Sequence, residues 1–238
     1  MSSFTLAWHF LIFGVLPYVV IAVLILGSLA RFVLAPFSWK SQSSEILDKK
    51  DIFWGANLFH IGVIFLFCGH CFGLFTPTEW LNAAGLTPRL HQMMEIICGG
   101  LSAIVAITGL IILTWRRLTN ERVRAASRPS DFWVLFLLLA VIILGIGCVV
   151  NSYLYDKSGA TIILLGGWVR GFFSFDYQAW QNILLVPDWQ KGHIFVGLII
   201  FLIVPFTRLV HIWSGYLSVF YLIRPHQIMR ANNGKPMK

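Results

Sequence analysis

Charge is what this sequence has least of. Asp, Glu, Lys and Arg together make up 12% of its 238 residues, where a soluble globular domain carries about 25%. Acidic residues are scarcest, 10 against 18 Lys and Arg. Cysteine is also sparse: Cys68, Cys71, Cys98 and Cys148 all lie in apolar stretches, which excludes a disulfide framework. The CGHC run at 68–71 lacks the His that a c-type haem motif needs directly after its second Cys, so both residues read as small packing groups. No Lys or Arg precedes the first apolar run, so no cleavable leader is expected. No two His lie four residues apart, which argues against a membrane di-metal oxidase. The sequence also has no internal repeat, no low-complexity tract and no evident molybdenum or iron–sulfur site.

What is present is apolar length. Hydrophobic residues reach 58% and the mean hydropathy is +0.77. Crossing about 30 Å of hydrocarbon takes about 20 apolar residues, and five segments qualify, near 5–30, 52–75, 91–114, 131–153 and 191–213. Backbone polar groups in lipid must be satisfied within the segment, so the fold class is all-α: a single membrane domain over 1–238 of five transmembrane helices, ending in a tail over 214–238. Residues 161–173, with Trp168 and Arg170, read as an interfacial helix.

The net charge of +8 does not form one basic face, so no nucleic-acid partner is expected. The charge marks topology instead. Arg31, Lys40, Lys49 and Lys50 follow the first span; Arg116, Arg117, Arg122, Arg124 and Arg128 follow the third; Arg208, Arg224, Arg230, Lys235 and Lys238 lie at the end of the fifth or beyond it. Only Arg89, Lys157, Arg170 and Lys191 fall on the other side. The positive-inside rule then sets the N-terminus outside and the tail in the cytoplasm.

Four of the seven His lie inside spans: His60 and His70 in the second, His193 and His211 in the fifth. Ionisable groups in a span are costly and default to function. At about 1.5 Å per residue the first two are about 15 Å apart and the last two about 27 Å, close to five whole turns. Spans two and five run antiparallel, so depth pairs His60 with His211 on the cytoplasmic side and His70 with His193 on the outer side. The unequal spacings are absorbed by tilt and by a bend at Pro205. Two ligands per site fall short of the four of structural zinc and suit a flat haem between facing helices. Gly62, Gly69, Gly73 and Gly197 add room for close approach, although helix packing alone explains small residues too. Arg208, one turn before His211, is a candidate partner for a haem propionate or a snorkelling anchor. His9 and His226 have no obvious partner.

Motifs in these same regions resemble the gamma subunit of membrane-bound respiratory nitrate reductase. The second span carries NLFHIG at 57–62, CGH at 68–70 and FGLFTP at 72–77; the fifth carries PFTRLVHIW at 205–213; SSEILDK at 43–49 and RPHQIMR at 224–230 match its first loop and tail. The resemblance implies two b-type haems, held by His60 with His211 and by His70 with His193, and a quinol site on the outer side near Gly69. It implies an iron–sulfur beta subunit and a molybdenum alpha subunit as partners, docked by the cytoplasmic loops and tail, Arg230 included. The family often has a Lys at the outer start of span three; here His91 stands there, as the expected proton acceptor from quinol. A b-type cytochrome serving a heterodisulfide- or sulfite-reductase-type complex shares this haem chemistry, and a haem-free transporter with a His-lined proton path is the alternative of another class.

Overall fold

The computed structural model describes residues 3–35, 38 and 49–213; the expected tail and most of the first-loop motif lie outside them. Every regular element among the described residues is helical. Among the described residues five helices are long and apolar enough to span a membrane: α1 (Ser3–Leu34), α2 (Ile52–Phe75, preceded by one turn from Lys49), α4 (Pro88–Thr119), α6 (Pro129–Tyr155) and α8 (Asp188–Phe206). Short helices α3 (Thr78–Ala83) and α5 (Glu121–Ala125) lie in connections, and α7 (Ala160–Phe173) fills the long connection before α8. Large apolar side chains such as Phe65, Trp133 and Phe136 face outward, as expected when the surrounding solvent is lipid.

The helices pack in a chain of neighbours, α2 on α4, α4 on α6, α6 on α8 and α8 on α1. Small residues make the first contact close. A Cβ on Gly62 would lie 2.7 Å from the Ala106 Cα, and one on Gly109 would run into the α2 backbone at Phe59 and Gly55. Gly62 is therefore a packing residue, and the reading of it as room for haem is corrected. Ala103, Ala106, Leu110 and Ile142 form the buried core where α2, α4 and α6 meet.

The helix ends explain the connections. Asp131 caps α6 by accepting from the Arg128 backbone N–H at 2.9 Å. Asp156 caps α7, accepting from the backbone N–H groups of Gly159 and Thr161 and from the Ser158 hydroxyl. Burial pushes its carboxyl up, but these donors from Thr161 and Ser158 outweigh burial and hold it well below the usual carboxylate range. Gly159 turns at φ +78°, with Pro88 O too close for a Cβ, so only glycine suits the position.

α7 is more deeply engaged than a helix lying on the membrane. Trp168 is buried and donates from its indole N–H to Phe13 O on α1 at 2.9 Å. Arg170 donates to Leu74 O and Thr76 O, both at 3.1 Å, satisfying carbonyls that the end of α2 leaves open.

The fifth span departs from the single helix expected over 191–213. Its α-helix ends at Ile203, a 3₁₀ turn covers Val204–Phe206, Thr207 is extended, and a second 3₁₀ turn covers Arg208–Val210. Pro205 thus marks a break rather than a bend. Arg31 of α1 supports it, donating from Nη1 to both Pro205 O and Thr207 O at 2.7 Å. These are the carbonyls a broken helix leaves without partners.

Candidate haem and quinol site

The four span histidines fall into two facing pairs. The ring centroids of His60 and His211 are 6.1 Å apart with planes at 71°; those of His70 and His193 are 6.0 Å apart with planes at 21°. The break after Ile203 lets His211 meet His60, since His211 follows the second 3₁₀ turn and is not on a continuous helix with His193. His193 and His211 therefore face α2 through this local break and not through five whole turns of one helix.

Each ring is oriented through Nδ1. His60 donates to Ala56 O at 2.7 Å, His70 to Leu66 O at 2.7 Å, His193 to Val141 O at 2.9 Å and His211 to Arg208 O at 2.7 Å. A carbonyl can only accept, so Nδ1 carries the proton in all four and Nε2 keeps its lone pair. A backbone partner on the far nitrogen is the usual arrangement of a metal-ligating His. For His193 the partner comes from α6, where Gly145 gives the ring room: a Cβ there would lie 3.1 Å from His193 Cε1.

This donor set fits haem iron. Two imidazoles bound end-on at about 2.0 Å per metal–nitrogen bond have ring centroids about 6 Å apart, the separation found in both pairs. Among the described residues no three or more His, Cys, Asp or Glu side chains gather at one point, so each site offers two protein ligands. Space is available beside them: a Cβ on Gly69, next to His70, or on Gly197, one turn after His193, would meet nothing within 4 Å. Gly73 differs, since a Cβ there would press on Glu95 Oε1 at 2.6 Å and on His91 Nε2 at 3.3 Å.

Arg208 has a protein partner. Its Nε lies 2.7 Å from Asp131 Oδ1, while Arg117 Nη1 lies 2.9 Å from Asp131 Oδ2. Two guanidinium groups thus bracket one buried carboxylate, tying the His211 turn to α4 and α6. His91 is 5% exposed. Its Nε2 has no hydrogen-bond partner, and its ring packs edge-on to Phe72 at 6.0 Å. It lines a narrow cavity with Gly73, Thr76, Pro88, Ile163 and Arg170. Among the described residues His9 has no distant hydrogen-bond partner, its Nδ1 bonding to Thr5 O one turn away. All four cysteines are free.

Sequence reasoning gave no site role to Arg31, Asp131, Gly145 and Glu95. Glu95 carried a readable signal, a carboxylic acid inside an apolar span. Asp131 opens a span and signals a cap. Nothing local marked Arg31 or Gly145, whose partners come from other helices.

The profile of the family described as nitrate reductase gamma subunit matches residues 9–232. The respiratory nitrate reductase 2 gamma chain of Escherichia coli (strain K12) is 36% identical over 219 residues, covering 92% of this chain and 95% of that protein. The nitrate reductase gamma chain of Bacillus subtilis (strain 168) is 35% identical over 224 residues, covering 94% and 98%. The nitrate reductase-like protein NarX of Mycobacterium tuberculosis (strain CDC 1551 / Oshkosh) is 28% identical over 93% of this chain but only 34% of its own length. With a family match over most of its length and relatives above 30% identity aligned almost end to end, this chain belongs to the nitrate reductase gamma subunit family.

Proposed function

We propose that the chain is the di-haem b membrane subunit of a respiratory nitrate reductase, oxidising quinol near the outer face of the cytoplasmic membrane and delivering electrons inward. The observation that carries this reading is the presence of two facing imidazole pairs, each 6.0–6.1 Å between centroids, with every Nδ1 held by a backbone carbonyl. His60 and His211 hold one haem b on the cytoplasmic side; His70 and His193 hold the other on the outer side. Bound haem supplies a one-electron carrier at each depth, its potential set by axial ligands, burial and hydrogen bonds.

The protein's own groups do the rest. Gly69 keeps the approach to His70 open for quinol, and His91, with a buried and unpartnered Nε2, takes a proton toward the outside. Arg208, fixed by Asp131, keeps positive charge beside the His211 turn, where it suits a haem propionate. The basic loops and tail on the cytoplasmic side dock an iron–sulfur beta subunit, which feeds a molybdenum alpha subunit. The chain alone is not expected to reduce nitrate. Each charge moved across the membrane stores about 2.3 kcal/mol per 100 mV, so the reaction feeds a membrane potential.

The test is a reduced-minus-oxidised visible spectrum of the purified chain with haem quantified per polypeptide. Two b-type haems are expected, with one lost in His60→Ala and the other in His70→Ala. A colourless preparation would overturn the proposal and favour the haem-free transporter.

A further inference from the structure

Glu95 has no part in the reading above. It sits in the first third of a 32-residue apolar span, one turn deeper than His91, and makes no hydrogen bond or ion pair with any described residue. An ionisable side chain held within a span without a partner is costly and is retained where its proton chemistry is used. Its surroundings are specific. Glu95 Oε1 and His91 Nε2 converge over Gly73, lying 2.6 and 3.3 Å from the point a Cβ there would occupy. The imidazole nitrogen is buried and lacks a partner of its own. The two groups come from successive turns of α4, and Glu95 opens a π-helical turn, Glu95–Gly99; such turns widen a helix locally and are frequent at functional sites. His91 in turn lines the narrow cavity that runs past Thr76 and Arg170 at the outer end of α2.

We propose that Glu95 is the inner proton acceptor of the quinol site and passes protons outward to His91. The proposal rests on the quinol-oxidising reading above. When a quinol hydroxyl is oxidised, its O–H bond breaks, the electron leaves toward the haem pairs, and the proton forms a new O–H bond on the Glu95 carboxylate. The carboxylic acid then gives that proton to His91 Nε2, directly or through one water, regenerating the carboxylate. His91 releases it to the outer side. Two electrons and two protons leave per quinol, so the relay is loaded twice. The place of Gly73 follows from the same geometry. Any side chain there presses on the far end of Glu95, a flexible group that moves at little cost to the fold, so Gly73→Ala displaces the carboxyl while leaving it present.

The experiment uses the complete complex with its partner subunits in lipid nanodiscs. Haem reduction by a menaquinol analogue is followed by stopped flow, beside full reduction by dithionite. In Glu95→Gln, dithionite is expected to reduce both haems as in the wild type. The quinol-driven rate is expected to fall about tenfold or more, with half-saturation unchanged and much of the rate restored in Glu95→Asp. The redox-induced infrared difference spectrum is expected to lose a carboxylic-acid C=O band in Glu95→Gln, a signal that a purely structural role would not give. A wild-type rate in Glu95→Gln with an unchanged infrared spectrum would overturn the proposal. If Glu95→Gln fails to assemble, Gly73→Ala decides: slowed quinol-driven reduction with full dithionite reduction supports the relay, and an unchanged rate sinks it. A wild-type complex that quinol does not reduce would instead defeat the quinol-oxidising reading, and the relay with it.

Discussion

A histidine that ligates iron needs a free Nε2 and a ring that cannot turn. His60, His70 and His211 obtain both from a carbonyl three or four residues earlier on their own segment, so local helical geometry suffices for them. His193 is different, because its carbonyl, Val141 O, belongs to α6. That bond forms only because Gly145 presents no side chain where the imidazole lies, a Cβ there falling 3.1–3.3 Å from the ring. Gly145→Val adds branched bulk directly against the His193 ring. We expect it to displace His193 from Val141 O and to lower occupancy of the outer haem while the inner one stays, with a stability loss of about 1–3 kcal/mol. Haem content per chain, compared with Gly99→Ala, whose Cβ meets nothing within 4 Å, gives the check. Equal haem content in Gly145→Val and wild type would show that the α6 carbonyl does not orient the ring.

Among whole elements, what was legible follows from period and charge. Loop charge set the expectation that spans two and five are antiparallel, with His60 and His211 at one depth and His70 and His193 at another, and the rings face in those two pairs. The break in α8 was only half legible. Pro205 announced a distortion, but its size depends on Arg31, 174 positions away, donating to Pro205 O, and no local pattern encodes such a partner. The Gly62 and Gly109 seam has the same character: a small residue declares that something comes close without saying whether it is haem or helix. Asp131 shows what such long-range partners do. Its carboxylate, 4% exposed, sits between Arg117 and Arg208, and Arg208 O in turn orients His211. Asp131→Asn leaves two guanidinium groups facing each other with half their partner gone. Breaking a buried pair in this way costs about 3 kcal/mol. The expected result is lower thermal stability and selective loss of the cytoplasmic-side haem. Loss of neither haem, with stability unchanged, would show that the three-residue cluster is dispensable to the His211 turn.

At the scale of the whole molecule, direction is what gives the fold its use. If the two histidine pairs hold haem as proposed, they carry charge across a bilayer whichever way the chain is inserted, but only one insertion puts His91, Glu95 and Gly73 on the outside and the Arg208 turn toward a cytoplasmic partner. Charge decides the insertion. Arg122 and Arg124 lie in α5 and Arg128 follows it, whereas the loop at Lys157 and Ser158, capped by Asp156, carries little positive charge. Each Lys or Arg held on the cytoplasmic side biases topology. A membrane-impermeant maleimide added to intact cells should therefore label Ser158→Cys, which is exposed in the α6–α7 loop, and leave Glu121→Cys, exposed in the α4–α6 connection, unlabelled until the membrane is opened. The native cysteines lie within spans, so the unsubstituted chain sets the background. The reverse pattern would put the quinol-side groups in the cytoplasm. Protons released there would no longer add to the membrane potential, and the direction of electron delivery proposed for this chain would have to be abandoned even if both haems were present.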